Sequence, residues 1–185
     1  MKRTIFLIVI ICALISCKND EKQNLKMLEL EKVSKAINRV EFIYDEKNPL
    51  LRKFLNSAKK DKNNHYTMDM NEILALTADL NDSIGKSISE LKNLQNKIPN
   101  SKLIETTIEY LSKVSDYESD MPIFLKLVTD SIENNHFEIK EKVSDGIDKV
   151  NSARYNYQNQ LDKFYRESNF TKIEIDSLIG KKLNN

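Results

Sequence analysis

The chain reads as all-α, an elongated antiparallel bundle of about four long helices, and three observations lead there. Its 185 residues hold only three glycines and three prolines, too few for the many tight turns of an all-β or α/β fold. Apolar residues recur at spacings of three and four over four successive stretches, the period of a helix with one buried face. Short polar segments separate those stretches, and chains so connected pack as antiparallel neighbours.

In the first stretch Leu30, Val33, Ile37, Val40 and Tyr44 form one stripe, which resumes at Leu51, Phe54 and Ala58. Pro49 falls inside it and predicts a break or kink, because proline lacks a donor and restricts Asn48 before it. Lys59 to Asn64 ends the stretch as a loop. The second starts near Asp69 or Asn71, either a suitable cap, and carries Ile73, Thr77, Leu80, Ile84, Ile88, Leu91 and Ile98. Ile98-Pro99-Asn100-Ser101 is a turn, with Ser101 as the N-cap of the third stretch.

In that third stretch Ile104, Ile108, Leu111, Val114, Met121, Leu125, Val128 and Ile132 line a face, and Pro122 predicts a kink between Tyr117 and Asp120. Asn134-Asn135-His136 makes the next turn. The fourth stretch carries a seven-residue repeat, Val143, Ile147, Val150, Arg154, Tyr157, Leu161 and Phe164, read as the bundle seam. Phe170 to Leu183 reads as a short extra helix. A four-helix solution is required because no single stretch can bury its stripe alone.

The amino terminus carries a different pattern. Met1-Lys2-Arg3-Thr4 is basic, and Ile5 to Ile15 is an unbroken apolar run. Eleven helical residues rise ~16 Å, about half a hydrocarbon core, so the run is too short to span a bilayer comfortably. A basic start, a short apolar run and a small residue before the cut describe an export signal that is removed. The run closes on Leu14-Ile15-Ser16-Cys17, which resembles the lipobox of bacterial lipoproteins. That resemblance implies a diacylglyceride on the Cys17 sulfur, cleavage just before Cys17, and an acyl chain such as palmitate on the new amino terminus. It divides the chain into a signal peptide at 1–16, a lipidated polar tether at 17–24 and a bundle domain at 25–185. Lys18-Asn19-Asp20-Glu21 is similar to the lysine-plus-acidic surface-export signal of Bacteroidota lipoproteins, interrupted by Asn19. The segments Ile104 to Tyr110, Val150-Asn151-Ser152-Ala153-Arg154 and Gln160 to Phe164 resemble helical-bundle lipoproteins of spirochaetes and Bacteroidota, a class that implies fold and anchoring but no activity.

Charge and cysteine usage bound the partners. Without the signal the chain holds 27 basic and 28 acidic residues, which offers no broad basic field for nucleic acid. Cys12 leaves with the signal and Cys17 is consumed by lipid, so no disulfide remains to staple the domain. No cofactor is expected. Glu133 and His136 form the Glu-x-x-His pair of di-iron bundles, but no second copy exists, and His136 and His65 both read as solvated turn residues. No activated serine motif or glycine-rich phosphate loop stands out. Ser87 and Ser89 read as polar helix residues, and the isolated Gly85 and Gly146 as points of close helix approach or bending.

The expected function is therefore non-enzymatic: a membrane-anchored lipoprotein of the cell envelope, in the outer membrane on its periplasmic or outer face, whose bundle engages an envelope protein or the envelope itself. The alternative is a small-ligand or lipid-binding module using a groove between helices. Its candidate reader is Arg154, a charge on the seam, and Tyr155 and Tyr165 are candidate interface residues beside it.

Overall fold

A computed structural model describes residues 2–57, 70–129, 136–168, 170, 171, 173 and 175. Among them every regular element is helical: α1 (Lys2–Ser57), α2 (Asn71–Gln95), α3 (Lys102–Ser119), α4 (Met121–Thr129) and α5 (His136–Ser168). The expected all-α bundle is what forms. α3 and α4 are the two halves of one interrupted leg, so the bundle has four.

Cross-helix contacts set the directions. Arg39 reaches Ser87 and Glu90, and Ser115 donates to Asn81, so α2 runs antiparallel to both α1 and α3. Glu29 meets Ser101 and Lys47 meets Glu118, which makes α1 and α3 parallel. Tyr110 stacks on Tyr157, and Tyr117 packs at Gly146, so α5 runs antiparallel to α3. The order is up, down, up, down, as short connections demand.

Where described, the stripes read from the sequence turn inward on α1 to α4 as expected; Ala58 and Ile132 and the side chains of Phe54 and Val128 lie outside the described residues. Leu30, Val33, Ile37 and Val40 face Leu80, Ile84, Leu91, Ile104, Leu111 and Val114 in the main core. Ile73, Met121 and Leu125 form a second cluster with Leu50, Leu51 and Phe124 packed against it.

Helix boundaries follow local chemistry, with some corrections. The Ile98 to Ser101 turn forms, with Asn100 at a φ of 70° in the left-handed region that asparagine tolerates. Ser101 Oγ accepts from the Ile104 amide at 3.0 Å and caps α3. The interruption expected between Tyr117 and Asp120 falls at Asp120. Pro122 is accepted two residues on because the first amides of α4 need no helical partner. By contrast, α1 continues through Pro49 instead of breaking there. Asp45, whose carbonyl loses its helical donor at Pro49, is exposed and can be hydrated. The helix also runs unbroken through Cys17 and the polar residues 18–24, so the polar stretch is helical. α2 begins at Asn71 with Met70 at the cap position and no side-chain cap bond.

The fourth leg corrects the sequence reading most. Arg154 is exposed and Ile147 is 42 % exposed, whereas Ala153 is buried, and Gly146 faces the Tyr117 ring. The inward line passes through Gly146, Val150, Ala153, Tyr157, Leu161 and Phe164, so Val150, Tyr157, Leu161 and Phe164 of the expected seam do turn inward. Counting large apolar residues skipped the two small ones, although small residues are what allow two helices to approach closely. The loop at 59–64, Asp69, His65, Ile132, Glu133 and most of the expected helix at 170–183 lie outside the described residues.

Candidate functional site

The chemistry of the bundle concentrates where α1 and α3 meet. Lys47 Nζ and Glu118 Oε2 form an ion pair whose side chains are 1 % and 0 % exposed. Tyr44 Oη donates to the other carboxylate oxygen, Glu118 Oε1, at 2.9 Å. Lys47 Nζ also stands 5.9 Å from the Tyr44 ring centroid, so the ammonium has a π-face as well as a carboxylate beside it. Burial pushes the Lys47 pKa down, and the Glu118 carboxylate opposes that shift. Tyr44 is pushed up, first by burial and then by the neighbouring Glu118 charge.

Neither Lys47 nor Glu118 stands out in the sequence as a site residue, yet a signal exists. Lys47 follows Tyr44 by three and precedes Leu51 by four, so it occupies the apolar stripe of α1. Glu118 follows Val114 by four and precedes Met121 by three on the stripe of α3. Two opposite charges, each alone on a core face, are candidates to meet inside.

A row of tyrosines continues from this cluster along α3. Tyr110 and Tyr157 stack with centroids 5.8 Å apart and planes 10° from parallel. Burial raises the pKa of Tyr110, Tyr117, Tyr157 and Tyr165, and Glu41 adds to the shift at Tyr110 and Tyr157. Arg154 acts on Tyr110 in the opposite sense, and its own side chain is exposed.

The three expected interaction residues are thus placed unequally. Arg154 is on the surface and not in a buried seam. Tyr155 is 65 % exposed and points away from the stack. Tyr165 is half-buried near Tyr157. Ser87 is buried and accepts from Arg39 at 3.2 Å, a packing role, while Ser89 is exposed. At the other end of the bundle Glu29 is buried, accepts from Ser101 Oγ, and has its pKa raised by burial. An open groove of about 340 Å³ lies nearby between α1 and α2, lined by Leu28, Leu94, Lys32, Lys35, Lys97, Glu90 and Asn93.

Among the described residues no three His, Cys, Asp or Glu side chains gather as a metal site, and no helix is long and apolar enough to cross a membrane. No family model, curated protein or solved structure matches this chain.

Proposed function

We propose that this chain is a cell-envelope lipoprotein, cleaved before Cys17, acylated on its sulfur, and carrying a non-enzymatic helical bundle that engages a protein of the envelope. One observation carries the reading: an apolar run too short to span a bilayer ends on Leu14-Ile15-Ser16-Cys17 behind a basic start. The geometry of α1 fits it. From Cys17 to Glu29, the first buried residue among those whose burial is described, the helix advances 12 residues, or ~18 Å. Such a rod would hold the domain close to the membrane surface. Two or three acyl chains, at about 0.8 kcal/mol per buried methylene, anchor it durably.

The partner surface in this reading is the outer side of α5, where Tyr155 and Ile147 are exposed and Arg154 offers a charge. Aromatic and arginine side chains supply much of the binding energy at protein interfaces. The test is metabolic labelling with a fatty acid in cells. The natural chain should take up label and a Cys17→Ala variant should take up none; label on the variant would sink the anchor assignment.

A second reading, a module for a small anionic amphiphile, is favoured by the α1–α2 groove, which Leu28 and Leu94 line together with three lysines against one glutamate. Native mass spectrometry of the purified chain separates the two readings: a retained small molecule supports this one, and a stoichiometric protein supports the first.

A further inference from the structure

A mixed stripe of leucine and lysine runs along the early part of α1. Leu25, Leu28, Lys32 and Lys35 follow one another at three, four and three residues, so they share one face of the helix. The residues that α1 buries in the core, Leu30, Val33, Ile37 and Val40, occupy a different side. Leu25 is 38 % exposed, Lys35 is exposed, and Leu28 and Lys32 are half-buried at the edge of the α1–α2 groove. Across that groove α2 supplies Leu94 and Lys97.

The charges of the groove do not balance. Its one acid, Glu90, is already paired with Arg39 at 3.1 Å. Among the described residues the ammonium groups of Lys32, Lys35 and Lys97 have no carboxylate partner. Three cations around two leucines match a surface that carries phosphate above hydrocarbon, because lysine lays its stem along apolar surface and keeps its head in the polar layer.

One helical register relates this groove to Cys17, since α1 is unbroken from Lys2 to Ser57. Cys17 precedes Lys35 by 18 residues, about five whole turns, and Leu28 by 11, about three. Its position on α1 is therefore on the groove's own face. A helix whose attachment point and basic, apolar stripe share a face can lie along a surface, whereas standing upright would leave the stripe in water. We propose that α1 lies along the bilayer, with the α1–α2 groove seated on the phosphate groups of anionic lipids and with Leu25 and Leu28 turned toward the hydrocarbon boundary. α5, packed along α3, then stays off the membrane, which leaves Tyr155 and Arg154 open to a protein. This inference rests on the lipoprotein reading and adds to it the orientation of the domain and the chemistry that the groove meets.

The chain has no tryptophan, so a Leu25→Trp variant carries a single fluorescent reporter. The full chain, purified with its lipid and reconstituted in vesicles of brominated phosphatidylcholine with phosphatidylglycerol, should lose at least half of that fluorescence to the bromines. Without phosphatidylglycerol the loss should shrink at least twofold. Molar salt, which cuts the screening length to about 3 Å, should have the same effect. A Tyr155→Trp reporter on α5 should stay unquenched. Adding Lys32→Gln, Lys35→Gln and Lys97→Gln to Leu25→Trp should abolish the dependence on phosphatidylglycerol. Inorganic phosphate at fixed ionic strength should not compete; if it does, the groove takes a free anion and the proposal fails. Equal quenching of the two reporters, or a Leu25→Trp signal indifferent to lipid charge or to loss of the lysines, would also overturn it. Fatty-acid labelling reports on the anchor alone: label without quenching sinks this inference and leaves the anchor, and absence of label removes both.

Discussion

Lys47 and Glu118 stand 71 residues apart in the chain and meet as a fully buried ion pair, with Tyr44 donating to the carboxylate oxygen that Lys47 leaves free. Their energetics are asymmetric. Removing one partner strands a desolvated charge, while replacing both removes two desolvation penalties at once. Lys47→Met or Glu118→Met alone should destabilise the domain by about 3–5 kcal/mol. The double variant Lys47→Met/Glu118→Met should be neutral or more stable by roughly 1–4 kcal/mol. Denaturant unfolding of the four chains measures the cycle, and additive losses would show that the two residues act independently.

Two glycines in helices should respond oppositely to alanine. At Gly85 an added Cβ meets nothing within 4 Å, so Gly85→Ala should stabilise by about 0.5–1 kcal/mol through helix propensity. At Gly146 the same atom would stand 2.8 Å from the Tyr117 ring. Overpacking there costs about 1–3 kcal/mol, more than the propensity gain, so Gly146→Ala should lower the melting temperature. A rise at both sites would mean that the Tyr117 ring moves aside freely.

The phase of α5 is decided by adjacent positions. Ala153 is buried and Arg154 exposed, so Ala153→Leu should destabilise by about 1–3 kcal/mol and Arg154→Leu should stay within about 0.5 kcal/mol. Thermal melting distinguishes this from the arrangement with Arg154 in the seam, for which the two effects would be reversed.

Alkaline pH should unfold the domain. Tyr44, Tyr110, Tyr117, Tyr157 and Tyr165 all have folded pKa values raised above the ordinary value near 10, chiefly by burial. Their stabilising contribution is complete below pH 10 and is lost as pH rises above it, because the unfolded chain releases those protons first. Lys47, with a lowered pKa, works in the opposite direction in the window below 10.5, one group against five. Stability measured by urea unfolding should fall steeply above about pH 10. Tyr157→Phe should make that fall shallower, and an unchanged slope would contradict the burial of its hydroxyl.

How much was legible beforehand differs from leg to leg. The stripe on α1 from Leu30 to Val40 and the turn at Pro99 were readable because each rests on neighbours in the chain: periodic apolar residues, a proline, a capping serine. The break near Pro122 was readable for the same reason, whereas the continuation of α1 through Pro49 was not. Its outcome turned on whether the freed Asp45 carbonyl reached water. The seam of α5 was legible at Val150, Tyr157, Leu161 and Phe164 but misjudged at Ile147 and Arg154, because their inward neighbours Gly146 and Ala153 have no apolar bulk to count. Their burial depends on the Tyr117 ring and the neighbouring helix.

The sequence by itself determined the helical class, four amphipathic legs and most of their buried faces, because a helix presents residues three and four apart to one side whatever it packs against. It also set Cys17 at the end of a short apolar run, a pattern of adjacent residues that needs no tertiary context. Only the tertiary structure decided that Lys47 would meet Glu118, that Tyr110 would stack on Tyr157, and that Arg154 would face water while Ala153 turned inward. Those outcomes depend on the register and rotation of helices distant in the chain, which are fixed when small residues permit close approach and buried charges find each other.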